Sequence, residues 1–187
     1  MKAFLREMLT TFILAAVIVF GLQLTVQHSV VVSSSMEPSL QVGQHLIINR
    51  IVYKFQEPER GDIIVFHSPV NQQDDYIKRL IGLAGESVEI KNGTVYIHTE
   101  DSNILPLKEN YIIRKARQSF TGETIPENEY FFLGDNRNNS SDSRNGWTLA
   151  RQHIIGKAWL SIWPPERWGL VANYPLQEQI SSPGNNK

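Results

Sequence analysis

The sequence predicts a mainly β, antiparallel domain that follows a single N-terminal transmembrane helix. The helix is predicted from residues 8–36, a run of 29 residues without Asp, Glu, Lys or Arg. The β-domain is predicted from the rest of the chain, where apolar residues fall in short runs bounded by Gly, Pro and Asn. No periodic helical pattern follows residue 30, which also favours strands.

The first element is the membrane anchor. Its most apolar part, residues 8–26, has 19 residues, and as a helix it spans about 28 Å, close to the hydrocarbon thickness of a bilayer. A buried helix of a soluble protein is one alternative, but residues 12–20 show no polar face. A cleaved signal peptide is another, since Lys2 and Arg6 precede the apolar run. The run is longer than a typical signal-peptide core and no Ala-x-Ala site follows it, so we predict an uncleaved signal anchor.

Charge around the anchor predicts the orientation of the chain. Lys2 and Arg6 precede it, and the first basic residue after it is Arg50, so the positive-inside rule places the N-terminus in the cytoplasm. We predict a single-pass protein of the cell (plasma or inner) membrane, with the thylakoid membrane as a second candidate. The predicted segments are a cytoplasmic N-terminus (1–7), a transmembrane anchor (8–27), an extracytoplasmic β-rich domain (28–176) with an insertion or long loop (about 100–129), and a disordered tail (177–187).

Short apolar runs mark the expected strands of the β-domain. The strongest signal is a hairpin in which Asn92-Gly93, a pair suited to a type I′ turn, joins residues 87–91 to residues 94–98. One strand, residues 111–114, is expected inside the insertion. The other expected strands are residues 46–48, 51–53, 62–67, 130–133 and 154–163.

Composition excludes several classes of function. The 187 residues carry 18 Lys plus Arg and 19 Asp plus Glu, and this net charge of −1 gives no electrostatic basis for binding nucleic acid. The absence of cysteine excludes disulfides, thiolate metal sites and a cysteine nucleophile. The five histidines lack metal-ligand spacing, so we expect neither a metal nor another cofactor. A Ser–His–Asp triad stays open as an alternative, although nothing singles out one histidine.

Three polar segments are unusual for a plain β-domain. SSSMEPSL at residues 33–40 follows the anchor, and on composition alone it is a linker turn. DYIKRLIG at residues 75–82 places two basic residues inside an apolar strand. GDNRNNSSDSR at residues 134–144 follows another strand, and a turn built by Asn, Asp and Ser is its structural alternative.

The strand at residues 75–82 contains a candidate base. With a period of two residues, Lys78 and Arg79 point to opposite faces, so periodicity does not decide which of them is buried. Arg stays protonated, whereas a desolvated Lys loses its proton near neutral pH and acts as a base. A surface lysine whose stem covers apolar neighbours is the commoner alternative.

Taken in order behind an anchor, these segments resemble bacterial type I signal peptidases. RGDIIVF at residues 60–66 matches a fourth motif of that family, and the resemblance spans about residues 1–165. It implies a signal-peptidase-like antiparallel β-domain. The chain departs from the family pattern at Gln44, Ala84 and Asn138, which leaves Ser35 and Lys78 untouched.

The resemblance implies a role for each polar residue of the motifs. Ser35 would be the nucleophile and Lys78 the general base of a membrane-bound serine endopeptidase. Ser33 would contribute its hydroxyl to the oxyanion hole, and Ser140 would orient Lys78 through a hydrogen bond. The surrounding polar network would be held by Asp135, Asp142 and Arg144.

The resemblance also implies the substrate. Type I signal peptidases remove N-terminal signal peptides from exported preproteins after small residues, at sites of the Ala-x-Ala type. The expected partners are therefore preproteins and the lipid bilayer, and the protein is expected to be a monomer. The residues that correspond to family pocket positions are Val31, Met36, Leu40, Leu46, Tyr76 and Ile77.

Alternation in the last long strand predicts an aromatic face. Trp159, Ser161 and Trp163 would share one side of residues 154–163. Core packing is the ordinary interpretation of such residues. The alternative hypothesis is that this face enters the membrane interface, which suits amphipathic indole rings.

Two other functions stay open. One is a self-cleaving Ser/Lys peptidase of the repressor type, which would need a DNA-binding helical module where this chain has an anchor. The other is a non-catalytic, membrane-tethered β-domain that binds exported chains. The distance between Ser35 Oγ and Lys78 Nζ, together with an activity assay, separates these functions from cleavage of preproteins.

Overall fold

The computed structural model describes residues 2–71, 73–172, 174, 176 and 179. Within them lie one α-helix, α1 (Lys2–Thr25), and twelve β-strands. The predicted disordered tail, 177–187, falls outside the described residues except for Gln179. The strands are β1 (Val26–Val30), β2 (His45–Asn49), β3 (Ile63–His67), β4 (Asp75–Gly82), β5 (Ser87–Lys91), β6 (Thr94–His98), β7 (Ile104–Pro106), β8 (Phe120–Thr121), β9 (Glu129–Leu133), β10 (Leu149–Ala150), β11 (Ile154–Trp163) and β12 (Gly169–Leu170).

α1 is the apolar N-terminal helix that the charge-free run predicts. Within Ala3–Thr25 the apolar 18-residue window has a mean hydropathy of 2.1, and it is not buried against the rest of the protein. At ~1.5 Å per residue the helix is about 36 Å long, so it is long and apolar enough to cross a membrane. Strand β1 begins at Val26, which pairs with Asn49 of β2. The helix therefore ends at Thr25, short of the predicted end of the anchor at residue 27.

Antiparallel strands, joined by loops and short 3-10 turns, form the domain that follows α1, which confirms the predicted fold class. The larger sheet has the order β1-β2-β11-β3-β4-β9-β10, with β12 paired to β11. The smaller sheet has the order β7-β6-β5-β8. All of these pairs are antiparallel. β4 lies between β3 and β9 in the middle of the larger sheet, so side chains on its central part are shielded from water.

The predicted hairpin is confirmed, whereas the insertion differs from its prediction. β5 and β6 pair around Asn92 and Gly93, whose φ angles of 51° and 73° are the positive values that a type I′ turn requires. Residues 111–114 form no strand, and the short strands of the insertion are β7 and β8. Tyr111 is buried by ring contacts rather than by a strand ladder, since its ring packs on Tyr174.

The prediction of a strand at residues 51–53 is also wrong, because a 3-10 turn, Val52–Lys54, occupies these positions. Asn49 Oδ1 accepts hydrogen bonds from the backbone N–H groups of Ile51 at 3.1 Å and Val52 at 3.0 Å. This local side-chain bonding competes with a strand ladder directly after β2.

Two register shifts change the predicted faces of β11. Its pairing with β2 shifts once before and once after Ser161. Ser161 is therefore buried, and its Oγ accepts a hydrogen bond from Gln44 Nε2 at 2.8 Å. The prediction that Ser161 shares a face with Trp159 and Trp163 is wrong, since these two side chains are 44% and 53% exposed.

Candidate active site

Ser35 lies on a short 3-10 turn, Ser34–Met36, in the loop between β1 and β2. Two backbone hydrogen bonds between Val31 and residues 43–44, 2.8 and 2.9 Å long, close the base of this loop. Met36 is fully buried in the apolar cluster beneath the turn. The turn is thus fixed from both sides, and Ser35 is only 6% exposed.

Lys78 projects from the buried part of β4 towards this turn. Its Nζ donates one hydrogen bond to Ser35 Oγ at 2.8 Å and another to the carbonyl oxygen of Ile77 at 3.0 Å. Burial lowers the pKa of Lys78 to about 8, against the opposite effect of the Asp142 and Asp135 carboxylates. About half of the amine is therefore neutral near pH 8, and the neutral amine is the form that accepts a proton.

Arg79 is buried on the opposite face of β4. Its guanidinium donates to both carboxylate oxygens of Asp135, at 2.9 and 2.7 Å, and to the carbonyl oxygen of Gly61 at 2.7 Å. Its Cζ lies 4.1 Å from the centroid of the Tyr111 ring. Both basic residues of β4 are thus buried, but only Lys78 contacts Ser35, whereas Arg79 is a permanently paired cation.

We expect Asp135→Ala to destabilise the protein, because it leaves the Arg79 guanidinium buried without its carboxylate. Both side chains of this pair are fully buried, and removing one member of such a pair costs about 3–5 kcal/mol. Urea denaturation of the full chain in detergent measures the free energy of unfolding. Asp74→Ala is the control, since Asp74 is exposed, and it should change that free energy by less than about 0.5 kcal/mol. Equal effects of the two substitutions contradict the prediction.

The polar segment 134–144 clamps the turn that carries Ser35. Asn136 donates from its backbone N–H to the carbonyl oxygen of Ser35 at 2.9 Å, and from Nδ2 to that of Ser34 at 3.1 Å. Asn139 Nδ2 donates to Ser34 Oγ at 2.9 Å. Neither asparagine is among the predicted site residues. The signal that marks them is a run of side-chain amides directly after a buried strand, where they are free to bond a neighbouring backbone.

Asp142 and Arg144 pair with each other beside this clamp. Arg144 donates to both oxygens of the buried Asp142 carboxylate, at 2.7 and 2.9 Å. Asp142 Oδ2 also accepts from the backbone N–H of Gly134 at 3.0 Å, so it joins the two ends of the segment. The same carboxylate favours the protonated form of Lys78 and keeps the pKa of that lysine from falling further.

Ser33 and Ser140 are the two serines predicted to assist Ser35 and Lys78. Ser33 Oγ is 3.2 Å from Ser35 Oγ, within hydrogen-bond distance. Ser140 lines the same cleft, but its buried Oγ has no hydrogen-bond partner among the described residues. The predicted hydrogen bond between Ser140 and Lys78 is therefore wrong, since Lys78 uses the carbonyl oxygen of Ile77 instead.

An open cleft of about 860 Å³ lies over Ser35 and Lys78. Strand β1 and the residues after it form one wall, and β4 forms the other. The predicted pocket residues that line it are Val31, Tyr76 and Ile77. The other three predicted pocket residues do not line it, because they are at most 1% exposed and pack in the apolar cluster beneath the cleft: Met36, Leu40 and Leu46.

Metal-ligating side chains are dispersed over the described part of the chain. No group of three or more His, Asp or Glu residues that could hold a metal ion occurs there. Ser35 Oγ has Lys78 and Ser33 as its side-chain partners, so the structure gives no support to a Ser–His–Asp triad. Three histidine pairs lie elsewhere, each with a separation of 3.0 Å: His28 with His45, His67 with Asp75, and His98 with Glu89.

The site therefore contains what hydrolysis through a hydroxyl nucleophile requires. It has a serine, a lysine of lowered pKa at hydrogen-bond distance from that serine, and an open cleft above both. On an antiparallel β-domain behind an apolar helix, this arrangement is typical of membrane-anchored serine peptidases that use lysine as the base. The chain belongs to the signal peptidase family, peptidase S26, whose family model matches residues 5–163.

Known proteins similar to this chain agree with that family. It is 40% identical over 179 residues to signal peptidase I of Leptolyngbya laminosa, covering 91% of this chain and 86% of the relative. It is 36% identical over 180 residues to the probable signal peptidase I-2 of Synechocystis, covering 93% of this chain and 80% of the relative. It is 34% identical over 179 residues to signal peptidase IB of Staphylococcus aureus, covering 88% of this chain and 92% of the relative.

Among solved structures, a signal peptidase I from Enterococcus faecalis is 36% identical to this chain. It matches with a TM-score of 0.48 over 55% of this chain and 97% of its own. The family match and the curated relatives confirm the predicted family and enzyme class. The chain is therefore an enzyme that cleaves signal peptides, and its substrates are preproteins that carry them.

Proposed function

We propose that this enzyme cleaves preproteins with Ser35 as the nucleophile and Lys78 as the general base. The observation that most directly supports this is the 2.8 Å hydrogen bond from Lys78 Nζ to Ser35 Oγ. That distance suits transfer of the hydroxyl proton to a neutral amine. A serine hydroxyl is a weak nucleophile by itself, so a base at this position supplies what the reaction needs.

The proposed reaction has two halves. Neutral Lys78 takes the proton of Ser35 Oγ while that oxygen attacks the scissile carbonyl carbon and forms a tetrahedral intermediate. The ammonium of Lys78 then protonates the leaving amine of the mature protein, the C–N bond breaks, and the signal peptide stays on Ser35 as an ester. In the second half Lys78 takes a proton from water, which attacks the ester, and the proton returns to Ser35 as the signal peptide leaves as an acid.

Two donors near Ser35 support binding of the oxyanion of the tetrahedral intermediate. The backbone N–H of Ser35 is among the first of its 3-10 turn, where N–H groups have no partner within the turn. Ser33 Oγ, 3.2 Å from Ser35 Oγ, is the second donor. In acyl transfer a donor of this kind is worth about 3–4 kcal/mol of transition-state stabilisation.

We propose that cleavage follows a small residue, in the Ala-x-Ala pattern. The walls of the cleft contain Val31, Tyr76 and Ile77, which supports binding of a small apolar side chain next to the scissile bond. Replacing the Ala before that bond by Leu is expected to lower kcat/KM about 100-fold. Full-length protein in lipid nanodiscs, with mass spectrometry of the product N-terminus, measures the rate and the site. Equal rates for Ala and Leu would overturn this specificity and leave the Ser35/Lys78 proposal intact.

We also propose that α1 crosses the cell membrane once, with the N-terminus in the cytoplasm and the β-domain outside. Exposed apolar side chains along α1, such as Phe12 and Phe20, support burial in lipid. Basic residues precede the apolar run, which supports the orientation. The thylakoid membrane stays the second candidate, and the enzyme is proposed to act as a monomer.

Exposed indole rings after residue 158 support contact of the β-domain with the membrane surface. Trp159, Trp163 and Trp168 are 44%, 53% and 67% exposed, and indole rings partition to the membrane interface. In single-tryptophan variants of the full chain in nanodiscs, we expect brominated lipids to quench Trp159 and Trp163 strongly. A variant that keeps only Trp147, which is half-buried against an apolar cluster, is the control. Equal quenching of Trp147 and Trp163 would contradict membrane contact.

A further inference from the structure

A second pocket, of about 370 Å³, opens beside the catalytic cleft. It shares Asn138, Ser140 and Asn145 with the cleft, and its outer wall comes from the insertion at Arg117 and the residues after it. We propose that this pocket binds an acidic side chain of the mature segment, the part of a preprotein that follows the scissile bond, and that Arg117 recognises it. This inference rests on the proposed function of Ser35 and Lys78.

The position of the pocket places it on the side of the mature segment. Another part of the cleft is formed by residues 29–32, which follow the end of α1 closely and do not line the second pocket. A signal peptide emerges from the same membrane as α1, so its last residues reach Ser35 along residues 29–32. The chain beyond the scissile bond continues towards residues 138–141, and the second pocket adjoins them without including any residue of β1 or β4.

The charge of the pocket comes from three arginines, two of which are neutralised. Arg137 is paired with Glu109, and Arg144 is paired with Asp142. Arg117 forms no ion pair within the described part of the chain, and its side chain is exposed. A carboxylate in the pocket would therefore meet one guanidinium that is not neutralised, and a guanidinium binds a carboxylate through two parallel hydrogen bonds.

Asn138 fixes the segment that carries Arg117 to the catalytic loop. The backbone N–H of Arg117 donates to Asn138 Oδ1 at 3.0 Å, and Asn138 Nδ2 donates to the carbonyl oxygen of Lys115 at 3.0 Å. Ser140, at the boundary of the two pockets, has a buried Oγ without a partner among the described residues.

The rest of the cleft carries the opposite charge. Asp74 and Asp75 line it and are both exposed, and they precede Lys78 along the chain. None of the residues that line the second pocket is an Asp or Glu. An acidic side chain is therefore disfavoured near Asp74 and Asp75 and favoured near Arg117. This charge asymmetry selects for preproteins with an acidic side chain in the mature segment.

Preproteins that carry Glu, Gln or Lys at one of the first three positions after the scissile bond test this inference. At the one of these positions whose side chain enters the second pocket, the kcat/KM of the wild-type enzyme in nanodiscs should be about three- to fivefold higher for the Glu substrate than for the Gln substrate. Arg117→Glu should reverse this order and favour the Lys substrate. The preference should shrink as NaCl is raised, because an exposed ion pair is screened by salt.

Arg114→Glu is the matched control. Arg114 is an exposed arginine of the same insertion that does not line the second pocket. Reversing its charge should therefore leave the ratio of kcat/KM for the Glu and Gln substrates (the Glu/Gln ratio) unchanged. Arg117→Gln should abolish the preference without reversing it, and equal melting temperatures exclude a folding effect. A Glu/Gln ratio that is unaffected by Arg117→Glu, or altered equally by Arg114→Glu, would overturn the inference. Cleavage that survives Ser35→Ala would instead refute the proposed function.

Discussion

Ser35→Ala is expected to lower kcat for preprotein cleavage by about 10⁴-fold or more, in line with loss of the nucleophile from other serine peptidases. The substitution removes the oxygen that forms the ester, and the amine of Lys78 is left without a hydroxyl to deprotonate at 2.8 Å. KM should change little, because the walls of the cleft are unaltered. Cleavage of a preprotein by the full chain in nanodiscs, followed over hours, measures the residual rate.

Ser34→Ala is the matched control for this prediction. Ser34 lies on the same 3-10 turn, but its Oγ accepts a hydrogen bond from Asn139 at 2.9 Å, and the hydrogen bonds of Lys78 among the described residues go to Ser35 and Ile77 instead. Its removal should keep activity within about tenfold of wild type, since one partly exposed hydrogen bond is worth only about 1 kcal/mol. Cleavage that survives Ser35→Ala would exclude Ser35 as the nucleophile, and equal losses from the two substitutions would mean that the loss comes from a disturbed turn rather than from a missing nucleophile.

The parts of the fold that were predicted are those specified by neighbouring residues. A charge-free apolar run predicts α1 by itself, because a bilayer span needs only length and hydropathy. The β5–β6 hairpin is specified by Asn92-Gly93, since few residue pairs tolerate positive φ at both turn positions. The pairing of Ser35 with Lys78, in contrast, is implied only by the resemblance to a family, because the two residues are 43 positions apart and the fold alone brings them together.

The parts that were missed depend on long-range packing. A strand pattern does not reveal a bulge, so simple alternation puts Ser161 on the wrong face of β11. Apolar residues that follow the motif of Ser35, such as Met36 and Leu40, fit either a pocket wall or the core, and only the path of the loop places them in the core. The clamp made by Asn136 and Asn139 needs two loops about 100 residues apart to meet, which no local pattern indicates.

Lys78→Met is expected to lower kcat for preprotein cleavage by about 10⁴-fold. The pH profile of kcat/KM for the wild-type enzyme should follow the ionisation of Lys78. Because only the neutral amine accepts the proton of Ser35, kcat/KM should rise about tenfold per pH unit below the pKa of about 8 and level off above it. Lys91→Met removes an exposed lysine of β5 and should leave the rate and the profile unchanged. A profile without an acid limb near pH 8 would contradict the role of Lys78 as the base.

The same substitution separates catalysis from folding. The pKa of Lys78 falls from 10.5 to about 8 when the chain buries it, so the unfolded chain holds this proton more tightly than the folded protein does. Stability is therefore lost as the pH falls from about 10.5 to about 8, and a penalty of up to about 3 kcal/mol persists below pH 8. Met fills a similar volume without charge, so Lys78→Met should raise the free energy of unfolding at pH 7 while it abolishes cleavage. A fall in that free energy would mean that Lys78 supports the fold, because a buried lysine retained only for chemistry destabilises the protein that carries it.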